Sequence, residues 1–405
     1  MVKPWDTATI GDFLDFKNGL NKGKEFFGHG TPIVNYTDVY KKRGLMKNDV
    51  CGKVSLTSDE IHRFDARKND VFFTRTSETP EEVGMSSVLL ENIDDCVFSG
   101  FVLRGRPKND MLVPEYCKYC FTTEAVRSAI IMGCTYTTRA LTNGKQLSAI
   151  EIAVPPKPEQ KAIAQSLTEI DELISSLKKL ITKKKAIKQG AIQELLTGKR
   201  RLPGFSGEWS KCKLGSLGVL LKGAGINRND SNSGNLPAVR YGELYTKHQN
   251  YVKNYFSHIS KEVAANTQRV YRGDVLFAAS GETKEEIGKC AAIIHETAAY
   301  AGGDILIFRP TTQLDPVFMG TLLNTADVRK QRAEKGQGDA VVHIHADALS
   351  SVSILIPNIE EQQAIAEILI GMDKEIELLE RKLEKYRQVK QGMMQQLLTG
   401  KIRLV

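Results

Sequence analysis

Two stretches of the chain place apolar side chains at alternating spacings of four and three for longer than an ordinary globular helix requires. In the later stretch Ile365, Leu369, Met372, Ile376, Leu379, Leu383, Tyr386, Met393 and Leu397 keep the series, with Lys390 filling its one gap. In the earlier stretch Ile163, Leu167, Ile170, Ile174, Leu177, Ile181, Ala191 and Leu195 keep the same register. A repeat near 3.5 residues held this long makes a coiled-coil seam, and two such seams in one chain most simply pack on each other. Each stretch predicts a helix of about 40 residues, or about 60 Å.

The signals that start and stop these helices recur. Each follows an alternating apolar run that ends in proline: Ile150, Ile152 and Val154 before Pro155, and Val352, Ile354 and Ile356 before Pro357. Pro158 with Glu159 suits a first helical turn, and Asn358 with Glu361 has capping-box spacing, which puts carboxylates at the positive end of the helix dipole. Gly198 and Gly400, each followed by lysine, read as C-terminal stops. Gly190 and Gly392 lie inside the pattern, where glycine costs about 1 kcal/mol relative to alanine. That cost points either to close approach of another helix or a kink, or to simple tolerance in a long helix.

The helical ends are near-identical. Lys188 to Leu202 and Lys390 to Leu404 share K-Q-G-x-x-Q-x-L-L-T-G-K-x-R-L, and Glu159 to Ala164 matches Glu361 to Ala366 as E-Q-x-A-I-A. An offset of about 202 residues is too long for a solenoid unit, so the chain reads as a tandem duplication of a domain plus a long helix. Boundaries follow: a first body over 1–155, a helix over 156–200, a second body over 201–356 and a helix over 357–405. Because body and helix alternate, an antiparallel pair would carry one body at each end.

Within the bodies, short β-branched and aromatic runs are broken by Gly, Asn and Asp, with helical stretches at about 115–132 and 316–335. Each body is therefore α+β and mainly β. Asn69 to Gly84 aligns with Gly273 to Gly288, but residues 21–31 bear no resemblance to the segment after Asn227, and Tyr136 to Arg139 face an unlike Gly338 to Val341. Differing loops on a common frame fit two readers with different targets.

Composition adds limits. A length of 405 residues accommodates two cores, and 26% charged with 41% apolar residues is ordinary for a soluble protein. No apolar run approaches the ~18 residues of a membrane span, and the opening from Met1 to Asp6 lacks a signal-peptide core, so a cytoplasmic protein is expected. The net charge of +8 is unevenly spread. Both bodies are close to neutral, while Lys178, Lys179, Lys183, Lys184, Lys185 and Lys188 load the first long helix, as a solvated face or one turned to phosphate.

The seven cysteines fall at non-matching places in the two copies, which excludes a shared disulfide framework; Cys117 and Cys120 read as packing residues. No phosphate loop or dinucleotide fingerprint is present. His343 and His345 lack a third ligand nearby, and the adjacent carboxylates at Glu81, Glu82, Glu285 and Glu286 suit solvent, so neither a metal site nor an enzyme in its own right is expected.

With P-x-x-E-Q-x-A-I-A at the helix starts, the repeated helix ends, and the linker Arg201-Leu-Pro-Gly-Phe-Ser-Gly-Glu-Trp209, the chain resembles the specificity subunits of Type I restriction-modification enzymes over essentially its whole length. The stretch before Trp5 lacks a counterpart of Pro203 to Glu208. The resemblance implies two target-recognition domains in a pseudo-two-fold arrangement, separated by two long antiparallel helices that act as a spacer, each domain reading one half of a split double-stranded DNA site. It also implies two modification (methyltransferase) subunits and motor-nuclease restriction subunits as partners, with S-adenosylmethionine, ATP and Mg²⁺ on those partners and no cofactor on this chain. Arginine can pair guanine bidentately and Ser or Thr can bond either base type. Candidate DNA contacts are thus Lys22, Lys24, Arg75, Thr76, Ser77 and Arg139 in the first body, and Arg228, Arg240, Ser280, Lys284 and His343 in the second. The alternative is a non-enzymatic coiled-coil scaffold binding proteins through two heads.

Overall fold

In a computed structural model of the protein, the structure describes residues 5–338 and 341–404. The opening residues 1–4 and positions 339–340 of the Gly338 to Val341 loop, used in the readings above, lie outside the described residues. The chain divides into two compact units. One holds the first body with the first long helix up to Lys178 and the second long helix from Arg381 onward; the other spans Lys179–Glu380. Among the described residues no helix is long and apolar enough to cross a membrane.

The first unit is built on a five-stranded sheet in the order Leu14–Asn18, Val102–Pro107, Val71–Thr74, Ser86–Leu89, Gly44–Leu45, in which the last pair alone is parallel. Alternation explains why this sheet has a core on each face. Val71 and Phe73 point into one cluster with Phe13 and Phe121, while Phe72 points into another with Val34 and Phe98. The first cluster also takes Ile163, Ala164 and Leu167 from the start of the first long helix, and Leu397 and Leu398 from the end of the second.

The second unit repeats this plan. Its sheet runs Gly218–Lys222, Ile305–Pro310, Val275–Ala278, Cys290–Ile293, Tyr251–Val252, again with only the last pair parallel. Val275 and Phe277 join Leu195, Leu196, Ile365, Ala366 and Leu369 from the helices, and Leu276 and Ala278 face the opposite core. In each unit a further strand pair ties the body's beginning to the strand that precedes a long helix: Asp6–Thr9 with Glu151–Val154, and Ser210–Lys213 with Ser353–Ile356. The expected helical stretches at 115–132 and 316–335 are present, each in two pieces. Pro114–Cys117 is followed by a short 3-10 turn and then Glu124–Gly133, where the Thr123 hydroxyl accepts from Val126 N and restarts the helix; Pro316–Leu322 and Ala326–Lys335 are likewise separate. Cys117 and Cys120 are free and buried here, and burial pushes the Cys120 thiol well up.

The long helices are Lys157–Leu195 and Ile359–Leu397, 39 residues each, unbroken. Ile163, Leu167, Ile170, Ile174, Leu177, Ile181, Leu195, Ile365, Leu369, Ile376, Leu383 and Leu397 are all buried, whereas Met372, Leu379 and Tyr386 are half-buried at the seam's margin. Inside each unit the start of one helix meets the end of the other, so they pack antiparallel. The gap in the seam is an ion pair: Lys390 Nζ bonds Asp171 in the first unit, and Lys188 Nζ lies 2.6 Å from Asp373 in the second.

Two corrections follow. Lys184, Lys185 and Lys188 pair with Glu375, Glu380 and Asp373, so these lysines are answered by carboxylates rather than open to phosphate. Among the described residues a Cβ added to Gly190 or Gly392 would meet nothing within 4 Å, so these glycines are not there for close helix packing within the chain, and both helices run through them unbroken.

The repeated motifs at the helix ends are a clasp. Arg201, just past the first helix, donates to both oxygens of Glu361 at 2.7 Å, and Trp209 Nε1 donates to the same carboxylate at 3.2 Å. Arg403 and Trp5 hold Glu159 in the same way, at 2.6 and 3.0 Å. The expected capping box is only half made. Asn358 Oδ1 accepts from Glu361 N at 3.1 Å, but the Glu361 carboxylate is taken by arginine and tryptophan. The adjoining glutamines latch the strand before the helix, with Gln160 Nε2 donating to Pro155 O and Gln362 Nε2 to Pro357 O. Gly198 and Gly400 end the helices at φ of +68° and +69°, the left-handed conformation that favours glycine, with Trp209 and Trp5 packed beside them.

Candidate nucleic-acid interface

The candidate residues cluster where the middle strand of each sheet runs on into a short edge strand. In the first unit Val71–Thr74 leads through Arg75 to Thr76–Ser77, which pairs with Ala140–Leu141. Arg75 is bridged from both sides, its N–H donating to Phe101 O at 2.9 Å and its carbonyl accepting from Thr142 N at 3.0 Å. In the second unit Val275–Ala278 leads through Ala279 to Ser280–Gly281, paired with Val342–His343. Ala279 N donates to Asp304 O at 2.8 Å and its carbonyl accepts from Ile344 N at 2.9 Å. These bonds make Arg75 the counterpart of Ala279, Thr76 of Ser280, and Phe101 of Asp304.

A short helix supports each site. Tyr36–Lys41 and Tyr241–Thr246 both begin with a tyrosine pair four residues apart: Tyr36 and Tyr40 stack at 5.8 Å, and Tyr241 and Tyr245 meet edge-on at 5.5 Å. Tyr245 Oη donates to Ser280 O at 2.7 Å, and burial pushes its phenol up.

The candidates fall into three sets. Arg139, Lys24, Arg228 and Lys284 are exposed, Arg139 on the hairpin beside Tyr136, itself 56% exposed. Arg75 and Arg240 are half-buried; Arg75 Nη1 reaches Gly100 O at 3.4 Å, and Arg240 caps its helix through its backbone, leaving the guanidinium to the cavity beyond. The third set is held by internal partners. Lys22 Nζ lies 2.5 Å from Glu60, and Ser77 Oγ donates to Glu82 at 3.1 Å. Ser280 Oγ and His343 Nδ1, both candidates, meet at 3.0 Å, while Thr76 takes the corresponding place in the first unit. The fold thus gathers Arg75, Thr76 and Arg139 on one edge and Ser280 and His343 on its counterpart. The sequence reading passed over Phe101 and Asp304, which a strict alignment of the segments before the two strands would have set against each other.

Comparison with known proteins places this arrangement. The sequence matches the family described as the Type I restriction modification DNA specificity domain twice, over residues 2–189 and 206–387. It is 22% identical over 423 residues to the specificity subunit of the type I restriction enzyme MjaVIII of Methanocaldococcus jannaschii, covering 99% of this chain and 93% of that one. The fold is shared with the S subunit of a Type I restriction-modification system from M. genitalium, with a TM-score of 0.59 and 14% identity over 97% of this chain and 96% of that one. A chain from a structure concerned with complex assembly and conformational transition of the type I system aligns with a TM-score of 0.60 and 15% identity over 98% of both. The scaffold alternative falls with these matches. The chain belongs to the Type I restriction-modification DNA specificity family and, carrying two copies of its domain, is a specificity subunit.

Proposed function

We propose that each body reads one half of a bipartite double-stranded DNA site, that the paired helices fix the distance between the halves, and that the helix ends dock two copies of one methyltransferase subunit. A rigid helical spacer can hold two readers about one duplex turn apart, roughly 34–36 Å, so that both meet the same face of DNA. This chain positions and selects without catalysing. S-adenosylmethionine, ATP and Mg²⁺ act on the methyltransferase and restriction subunits, and the assembly works in the cytoplasm.

The observation that carries this reading is a contrast in what is repeated. Side chains at the reading edge differ between units, as at the exposed Phe101 and Asp304 or the half-buried Arg75 and Ala279, while exposed residues recur at matched positions on the helix ends. Gln189 and Gln391, Gln193 and Gln395, and Lys199 and Lys401 are exposed at matched positions, and Ile187 and Val389 leave 47% and 41% of their surface open. Gly190 and Gly392 lie between them with bare backbone. Two unlike readers beside one repeated dock suit an asymmetric target met by two copies of the same partner.

Methylation-aware sequencing of DNA from cells carrying the chain with its methyltransferase subunits tests this. A two-part, non-palindromic motif is expected. Lengthening both helices by two turns in register should lengthen the spacer and leave both half-sites unchanged; a constant spacer would refute the ruler.

A further inference from the structure

Resting on that reading, one matched position stands out because backbone bonds fix it in both units while its side chain differs completely. Phe101 and Asp304 each accept, through the main-chain carbonyl, from the residue that links the middle strand to the edge strand, Arg75 or Ala279. Neither side chain serves a core. Phe101 is 57% exposed, and Asp304 is exposed with φ at +58°, a left-handed conformation that the two glycines before it could adopt at no cost.

Asp304 borders a cavity of about 350 Å³ whose other walls include Arg228, Arg240 and Tyr241. Among the described residues, no hydrogen bond or ion pair engages the Asp304 carboxylate or either guanidinium, although opposite charges share one cavity. A site that holds donors and an acceptor apart fits a ligand edge bearing both acceptors and a donor. A phosphate would satisfy the arginines but be repelled by Asp304. The major-groove edge of a G·C pair satisfies both, with guanine O6 and N7 accepting from arginine and the cytosine N4 amino group donating to a carboxylate. In the first unit the matched Phe101 offers only an apolar face beside Arg75, which suits the thymine methyl.

We propose that Phe101 and Asp304 occupy the specificity-determining position of their units. Asp304 with Arg240 or Arg228 reads a G·C pair in one half-site, and Phe101 reads a thymine in the other.

The test is the modified motif in cells carrying the chain with its methyltransferase subunits, compared for the parent, Asp304→Asn and Phe101→Ala. An asparagine at this position can bond adenine N6 and N7, so Asp304→Asn should move one base pair of one half-site from cytosine toward adenine, by about tenfold in preference, with the other half-site and the spacing unchanged. Phe101→Ala should relax a thymine in the opposite half-site only. A gained adenine preference cannot come from misfolding. An Asp304→Asn motif identical to the parent's, altered in the half-site that Phe101→Ala alters, or lost at every site would overturn the assignment while leaving the DNA-reading function standing. A parent chain that yields no two-part motif would overturn that function, and this assignment with it.

Discussion

Gly84 in the first unit and Gly288 in the second make the same turn, at φ of +66° and +67°, each donating its N–H back to the middle strand. Each carbonyl is held by an arginine, yet not by the corresponding one. Arg127, in the first turn of its helix, donates to Gly84 O at 3.0 Å and also to Glu81 O and Val83 O. In the second unit Arg332, about a turn further along, donates to Gly288 O at 2.5 Å, and its side chain packs against Gly288 where Ile130 packs against Gly84. Arg332 is 1% exposed, and burial pulls its guanidinium below the usual range. What the frame requires is a donor on one carbonyl, so the two copies drift in sequence while the turn beside the reading edge stays fixed. The helix ends behave oppositely, because there the same residues recur.

The comparison can be tested unit by unit, since Trp5 and Trp209 are the only tryptophans and each sits in one clasp. Single Trp→Phe backgrounds make fluorescence report on one unit at a time. The largest effect expected is from Leu167→Ala and Leu369→Ala, matched residues 0% and 1% exposed in the cores where body meets helix. Each should cost about 3 kcal/mol in denaturant unfolding of its own unit. A cost confined to one of the pair would show that the two seatings are not equivalent.

Next come the clasps. Arg403→Ala and Arg201→Ala each strand a buried carboxylate, and Tm of the affected unit should fall by several degrees. Acid sharpens this. The Glu159 carboxyl is held below its ordinary 4.5, first by hydrogen bonds from Arg403, so its contribution is fully present above 4.5 and lost as pH falls through the lower folded value. The Trp5-reported transition should therefore weaken with acid in the parent and lose most of that dependence in Arg403→Ala.

How much of this was legible depends on how far apart the partners lie in sequence. The seam was readable because a 3.5-residue repeat needs no knowledge of what it packs on. Its positions from Ile163 to Ile181, with Leu195, Ile365, Leu369, Ile376, Leu383 and Leu397, are buried as the period requires, with Met372, Leu379 and Tyr386 at its margin. Lys390 looked like a defect because its partner Asp171 sits 219 residues away. The Asn358 and Glu361 spacing signalled a helix start correctly, but the carboxylate's partners, 160 and 152 residues distant, carry no local signature. The candidate site was legible as a region only. Arg75 and Ser280 lie in an alignable segment, whereas the commitment of Lys22 to Glu60 and of Ser77 to Glu82 depends on how loops close.

The two arginine anchors should separate under a change that drops charge and keeps bulk. Arg127→Met removes donors from three carbonyls in the first unit and should cost about 2 kcal/mol. Arg332→Met also frees its pocket of a desolvated charge, and the second unit should stay within about 1 kcal/mol of the parent. Equal losses would mean that both carbonyls need their donor to the same degree and that burial of Arg332 costs little.

The smallest effect bears on what the units share. Gly190 and Gly392 cost helix stability at matched sites, and among the described residues nothing lies within 4 Å of where a Cβ would stand. Gly190→Ala and Gly392→Ala should therefore stabilise the chain by about 0.5–1 kcal/mol, since alanine restricts the unfolded backbone and favours the helix. If the bare backbone is kept for a methyltransferase subunit to approach, the same changes should weaken assembly with that subunit, and each single change should release one copy while the double change releases both. Stabilised chains that still bind two copies at parental affinity would show that the glycines are merely tolerated, and the dock would have to lie on the glutamines and lysines beside them.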